Sequence, residues 1–432
     1  MNNEQIIEIL DYWNFWQQQP DTGVPRSFYA EELYRQRQIK EVSVVSGIRR
    51  SGKSTILLQV LEKIIAAGAP KENTLYVNFE EPSFASGLTL EFILKIYDAY
   101  LEKFNPSGKI YIVLDEVQLI AGWEKFVRGL YDRNKNIKFY ITGSSAELLS
   151  REFGASLTGR IFSNEIFPLS FKEFLGFEKK KLLAEMTSGK GSVDLRNYFK
   201  KYMRYGGFPQ VVLTKNGKDK LKILKDYYSA IIEKDIVQRY GIRDVRQLKE
   251  FCINLVTNIA SLFSAYGAEK KQNISQPTAS KFLEYAEEVY LVGSVDFFAY
   301  SYLRQRANPS KVYVIDPGIY AAISFRFSQN LGKIFENLVY LEFRRRQDDL
   351  FYWKDNNEVD FLIRQGTKIK KAVNVCWELN EESEKREIKG LLEAMDKLKI
   401  KEAEIISMDY ERLIKVGGKT IKVKNFFKEF LS

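Results

Sequence analysis

The chain has 432 residues, room for about three domains each burying a core. Its 45% apolar and 14% aromatic content excludes a disordered polypeptide. A net charge of +10 and a pI near 9.1 make a polyanion a candidate partner, beside the plainer reading of a lysine-rich soluble surface. There is no histidine, and the two cysteines, Cys252 and Cys376, lie far apart, which excludes histidine-based acid–base chemistry and the common zinc sites.

The opening Met1-Asn2-Asn3-Glu4-Gln5 has no basic leader, and no apolar run approaches bilayer-spanning length. A cytoplasmic location and no membrane partner are therefore expected. Residues 1 to about 40 hold a helix-like aromatic stretch (Ile6, Ile7, Leu10, Trp13, Phe15, Trp16) and a turn at Gly23-Val24-Pro25-Arg26. They read as a lead-in packed on the domain that follows.

From Glu41 onward, strands and helices alternate as in a parallel sheet covered on both faces. A β-branched run, Glu41 to Ser46, leads into Gly47-Ile48-Arg49-Arg50-Ser51-Gly52-Lys53-Ser54, then Thr55 and the helical spacing of Ile56 to Leu61. This is the G-x-x-x-x-G-K-[ST] phosphate-binding pattern between a buried strand and a helix. Glycines let backbone N–H groups face phosphate oxygens, and the helix N-terminus adds its positive end. Lys53 is expected to reach the β and γ phosphates and Ser54 to ligate magnesium.

A strand at Thr74 to Phe79 and a helix at Leu88 to Phe104 come next, then the apolar strand Lys109 to Glu116, which ends on two acids. Asp115 is suited to holding magnesium through water and Glu116 to polarising the attacking water. A helix from Trp123 to Asp132 precedes Ile137 to Ser145, whose hydroxyl-bearing end belongs on the same sheet edge. Thr142 or Ser144 is a γ-phosphate sensor there, or else the cluster is an ordinary turn. Arg160, after Ser156-Leu157-Thr158-Gly159 and before a strand at Phe162 to Phe167, is either a surface arginine or a stabiliser of transition-state charge. In the second case it acts in its own subunit or across an interface.

The Lys-, Glu-, Gly- and Ser-rich stretch from Phe177 to Arg196 marks a domain border. Tyr205-Gly206-Gly207-Phe208-Pro209 is a sharp turn, and helices are expected over Asp226 to Tyr240, Leu248 to Tyr266 and Ser275 to Val289. Strand-like runs at Tyr290 to Phe298 and Lys311 to Ile315 flank Tyr302-Leu303-Arg304-Gln305-Arg306. Helix, turn, helix and basic hairpin form the layout of a winged helix. Thr278, Ser280 and Lys281 then face a DNA groove, with Arg304 and Arg306 in the wing; the alternative is a packing module that never meets DNA. The tail opens with a helix, Gly332 to Arg346, and continues through strands at Phe351-Tyr352-Trp353, Asn357 to Ile363 and Ala372 to Cys376. A helix, Glu384 to Leu398, and a strand, Glu404 to Met408, complete an α-β-β-β-α-β order.

The phosphate loop, Leu114-Asp115-Glu116-Val117-Gln118 and Ile141-Thr142-Gly143-Ser144-Ser145 together resemble the AAA+ class of P-loop ATPases. With Leu157-Thr158-Gly159-Arg160 and Gly206-Gly207-Phe208-Pro209, the chain is similar to prokaryotic AAA-family ATPases that carry a C-terminal domain of unknown function. The resemblance implies an α/β fold with a parallel sheet in the order 5-1-4-3-2, and ATP and Mg2+ as cofactors. It also implies a homo-oligomer if Arg160 acts in trans, and places Pro209 near adenine. The tail resembles the PD-(D/E)xK nuclease fold, in which Glu336 and Asp360 match the first two metal-binding positions. Asn374 and Cys376 stand where that pattern has its acid and lysine, so a degenerate site is implied.

Three domains are expected: an ATPase domain with its lead-in over 1–180, a mostly helical winged-helix domain over 195–320, and a small α/β nuclease-like domain over 328–432. The leading function is Mg-dependent ATP hydrolysis coupled to conformational change, acting on or with DNA. The alternatives are an ATP-gated switch or scaffold for a protein partner, and a metal-dependent nuclease.

Overall fold

The computed structural model describes residues 1–85, 87–143, 159–178, 192–325 and 330–431. They form two compact units, Met1–Phe167 and Pro168–Ser432.

The first unit is built on five strands: β1 (Val42–Ser46), β2 (Thr74–Asn78), β3 (Ile110–Asp115), β4 (Ile137–Thr142) and β5 (Ile161–Glu165). All pairings are parallel, in the order β2-β3-β4-β1-β5, the expected 5-1-4-3-2 arrangement read from the other edge. The central strands are apolar at nearly every position because helices cover both faces. Val44, Leu75, Val77, Ile112, Leu114, Phe139 and Ile141 pack on one side with α4 (Leu90–Phe104) and α5 (Trp123–Arg133). Val45, Tyr76, Val113 and Tyr140 alternate to the other, against α2 (Ser27–Arg35) and α3 (Lys53–Ala66).

The lead-in has a specific task. Asn14, just beyond α1 (Asn3–Trp13), donates its side-chain amide to the Tyr76 carbonyl at 2.9 Å and accepts from the Tyr76 N–H at 2.7 Å. Trp16 donates its indole N–H to the Thr74 carbonyl at 2.9 Å. These side chains stand in for a neighbouring strand and close the β2 edge, which would otherwise be open to pairing with another chain.

In the second unit, helices at Ser192–Tyr205 and Gly217–Ala230 are followed by a π-helical segment, Ile231–Gln238. Next come helix Val245–Thr257, β6 (Ser261–Phe263), helices Ala265–Gln272 and Gln276–Glu288, β7 (Val292–Phe297) and β8 (Ser310–Val314). The expected single helix from Leu248 to Tyr266 thus ends at Thr257 and gives way to a strand. A helix, Tyr302–Ala307, stands in the β7–β8 connection where a plain hairpin loop was expected; Ser301 caps it.

Helix Leu331–Arg345 then leads to β9 (Asp349–Lys354), β10 (Glu358–Gln365), β11 (Lys368–Cys376), helix Glu381–Leu398 and β12 (Glu402–Ser407). Beyond the expected order lie β13 (Arg412–Val416) and β14 (Lys419–Asn425), an antiparallel hairpin turned by Gly417 and Gly418, both at positive φ. One nine-stranded sheet, β13-β14-β12-β11-β10-β9-β7-β8-β6, runs through the whole unit. It is made continuous by β7 pairing with β9, Asp296 beside Phe351 and Phe297 beside Tyr352.

Candidate nucleotide site and tail cluster

Because β1, β3 and β4 run parallel, the residues that follow them emerge on one sheet edge. Gly47 leaves β1 at φ +137, and a β-carbon on it would fall 2.2 Å from the Ile166 carbonyl oxygen. Only glycine fits there. Ile48 and Ser51 are fully buried, Arg50 adopts a positive φ, and Gly52 at φ +97 begins α3. Arg49 pairs with Glu80 at 3.2 Å, which gives this arginine a structural task in holding the loop's outer side.

Lys53, buried in the first turn of α3, donates to the carbonyls of Gly47 at 3.0 Å and Ile48 at 3.3 Å, curling its ammonium over the loop. The Ser51 hydroxyl is buried with no hydrogen-bond partner among the described residues. A cradle with an ammonium on its own carbonyls and an orphaned hydroxyl fits a phosphate group.

Arg26 was only part of a turn in the sequence, yet it supports this loop. Its guanidinium donates to the Ser51 carbonyl at 2.8 Å and the Phe167 carbonyl at 2.9 Å, while its N–H donates to Gln59 at 3.0 Å. No spacing motif signals such a role.

Asp115 is buried at the end of β3. It accepts from the Tyr76 hydroxyl at 2.6 Å and from Thr142, and the Ser54 hydroxyl lies near enough to favour its charged form. Burial pushes its carboxyl above the usual range, and the charge of Glu116 adds to this; the three hydroxyls favour the charged form. Thr142 also accepts from the Glu116 N–H at 2.9 Å, so its hydroxyl ties the two acids together and faces them, whereas a γ-phosphate sensor was one expectation for it. Glu116 sits at φ +56 with its carboxylate held by the Gln118 amide at 2.6 Å. A non-glycine residue in that region is uncommon and marks a site that fixes its backbone. The structure therefore gathers the Ser54 and Asp115 side chains and places Lys53, Thr142 and Glu116 on the same edge; Thr55 is half-buried in the first turn of α3. Ser144 lies outside the described residues, as do Leu157 and Thr158.

Arg160 is elsewhere. Its carbonyl accepts from the Val42 N–H at 2.9 Å, at the start of β1, and its guanidinium pairs with Asp132 at 2.6 Å beside the Tyr131 ring. The phosphate loop leaves the other end of that strand, roughly 15 Å away at the rise of a β-strand.

In the second unit, Pro209 opens the short helix Pro209–Leu213. The preceding turn is locked by Asp316, which accepts from the N–H groups of Gly207 at 2.7 Å and Gly318 at 2.8 Å. On helix Gln276–Glu288, Ser280 and Lys281 are exposed, whereas the Thr278 hydroxyl lies 2.8 Å from that of the capping Ser275. Arg304 and Arg306 are exposed on helix Tyr302–Ala307.

In the tail, Asp360 and Asn374 meet, the Asp360 N–H donating to the Asn374 side chain at 3.1 Å. Glu336 and Asp360 share a third residue absent from any motif, Lys311 of β8, at 2.9 Å from each. Cys376 donates its thiol to the Glu378 carbonyl at 3.2 Å. On the same strand, β11, Lys370 is exposed and Lys371 pairs with Glu404 at 3.0 Å.

These observations define the class. Residues 39–175 match the AAA_14 family, an AAA domain, and the parallel sheet with its phosphate loop is an AAA-type ATPase fold, which points to ATP binding and hydrolysis. Residues 196–330 and 331–426 match two domains of unknown function, DUF8612 and DUF4143. The chain belongs to the family of the uncharacterized protein MJ1544 of Methanocaldococcus jannaschii, to which it is 36% identical over 86% of its own length and 83% of that protein's. An uncharacterized Haemophilus influenzae protein is 32% identical over 87% and 92% of the two chains. Among solved structures, the Walker-type ATPase PABY2304 of Pyrococcus abyssi aligns with 72% of this chain and 99% of its own, at 16% identity and a TM-score of 0.48. Among the described residues no helix is long and apolar enough to cross a membrane.

Proposed function

We propose that the chain binds ATP with magnesium at the Gly47–Ser54 loop and hydrolyses it to drive a conformational change, acting with DNA. The observation that carries the reading is the Ser54 hydroxyl near the Asp115 carboxylate, beside a loop whose Ser51 hydroxyl is buried with no hydrogen-bond partner among the described residues. Ser54 and Asp115 are the residues that hold magnesium, which when bound neutralises phosphate charge. Lys53 adds a positive charge for the β and γ phosphates. Glu116, oriented by Gln118, accepts a proton from the attacking water as general base. Arg160, remote from its own loop, is assigned to a neighbouring subunit's site in a homo-oligomer. Pro209 is assigned to the adenine, so that the Gly206–Pro209 turn passes nucleotide state to the helices that follow it.

The order helix, β6, helix, helix, β7, β8 supports a winged helix in the second unit, with Ser280, Lys281, Arg304 and Arg306 as its DNA-facing side chains and Thr278 at the helix start. The tail is taken as a nuclease-like domain that does not cut, because Asn374 and Cys376 supply neither a charged ligand nor an ammonium.

The decisive experiment is paired. Lys53→Ala is expected to abolish nucleotide binding, and Glu116→Gln to keep binding while turnover falls by about 100-fold or more. Normal hydrolysis by Glu116→Gln would falsify the assignment of the base.

One observation favours a second reading, a nucleotide-gated scaffold for a protein partner. Beside Arg304 and Arg306, Tyr300 is 82% exposed and Leu303 is 80% exposed, apolar surface of the kind protein partners cover.

A further inference from the structure

Lys311 on β8 is 3% exposed, yet it carries a full ammonium into the second unit. That group lies 2.9 Å from Glu336 of helix Leu331–Arg345, and 2.8 Å and 2.9 Å from Glu358 and Asp360 of β10. A lysine has three N–H donors, and here three carboxylates take them. The surroundings complete the cluster. Tyr313, on the same face of β8, donates to Glu336 at 2.7 Å, the Val375 N–H donates to the second oxygen of Asp360 at 2.9 Å, and Lys354 lies 3.4 Å from the second oxygen of Glu358.

Three ionised carboxylates cannot share a water-poor site without a cation, since each disfavours the ionisation of the others. Chemistry offers two solutions: a hard divalent ion with oxygen ligands, or an ammonium held at hydrogen-bond distance. This chain has taken the second. With the ammonium in place, no group of three or more histidine, cysteine, aspartate or glutamate side chains among the described residues is arranged to hold a metal ion.

We propose that Lys311 is a built-in cation that fills a three-carboxylate site otherwise suited to a hard divalent metal, so that this site is neutralised without a metal and closed to one. The consequence is a division of labour within the chain, in which divalent ions act at the nucleotide loop and leave the tail unaffected. The lock also joins two segments, since Lys311 falls in the span 196–330 and its three partners in 331–426.

The test uses the full chain without nucleotide, with Mn2+ as the probe, its binding counted by the paramagnetic resonance of free ion and its effect followed by thermal melting. Wild type is expected to show no Mn2+ binding that Asp360→Asn removes. Lys311→Met is expected to gain one site at least about tenfold tighter than any in wild type. That site should disappear in Lys311→Met with Asp360→Asn, and Mn2+ should raise the melting temperature of Lys311→Met alone. If Lys311→Met folds only with Mn2+, the idea is upheld. If it does not fold at all, Lys311→Met with Glu358→Gln, which lowers the negative charge, must recover folding; failure of both overturns the idea. So does Asp360-dependent Mn2+ binding by wild type, or DNA cleavage in Mn2+ that requires Lys311.

Discussion

Tyr76 shows how much a single hydroxyl outside any motif can matter. It lies on β2, which carries no signature residue, and reaches across to hold one oxygen of Asp115 while Thr142 holds the other. Fixed this way, the carboxylate presents one orientation. Tyr76→Phe keeps the ring and removes only the bond, so the fold should persist while the magnesium requirement of turnover rises by about tenfold. A magnesium titration of ATPase rate reads this directly, and an unchanged midpoint would mean that Tyr76 serves packing alone. The motif positions Lys53, Ser54, Asp115 and Glu116 were legible in the sequence because their spacing is local. Tyr76 and Arg26 were not, because their partners lie 39 and 25 residues away and depend on strand order.

At the scale of elements, β4 carries an internal strain of charge. Lys138 is fully buried, donates to the Glu41 carbonyl at 2.5 Å, and burial pulls its ammonium down to about 7. The unfolded chain holds that proton up to about pH 10.4, so between the two values the unfolded state binds more protons and stability rises with pH. Denaturant unfolding of the first unit should therefore show increasing stability from pH 7 to 10, and Lys138→Met should flatten the slope. A second element-scale feature is the turn before Pro209. Gly206 stands at φ +70, and a β-carbon there would sit 1.8 Å from an Asp316 oxygen. Gly206→Ala is expected to destabilise the second unit by about 3 kcal/mol or more, measured by chemical denaturation. The glycine pair was visible in the sequence as a turn; Asp316, which fixes it, lies 109 residues from Gly207.

For the whole molecule the relevant quantity is charge. A net +10 with exposed Lys281, Arg304 and Arg306 predicts DNA affinity that falls steeply with added salt. Replacing Arg304 and Arg306 with alanine should lower the log–log salt slope by roughly one unit each. Titrations of duplex DNA at several salt concentrations check this, and no binding at low salt would favour the protein-scaffold reading.

The sequence by itself determined the first unit almost completely: its phosphate loop, its five strands, and the edge on which Asp115 and Glu116 emerge. These follow from local spacing, from apolar runs buried on both faces, and from the rule that parallel strands share an edge. The tertiary structure alone decided the rest. It set Arg160 beside the start of β1 and against Asp132, because β5 starts beside the start of β1. It joined the second unit's strands into one sheet through a two-residue pairing of β7 with β9. Above all, it brought Lys311 to Glu336, Glu358 and Asp360, partners 25, 47 and 49 residues distant. A lysine in an alternating strand looks like a solvated one until its face is known. The side of the sheet that β8 turns inward is set by packing, and no local spacing records it.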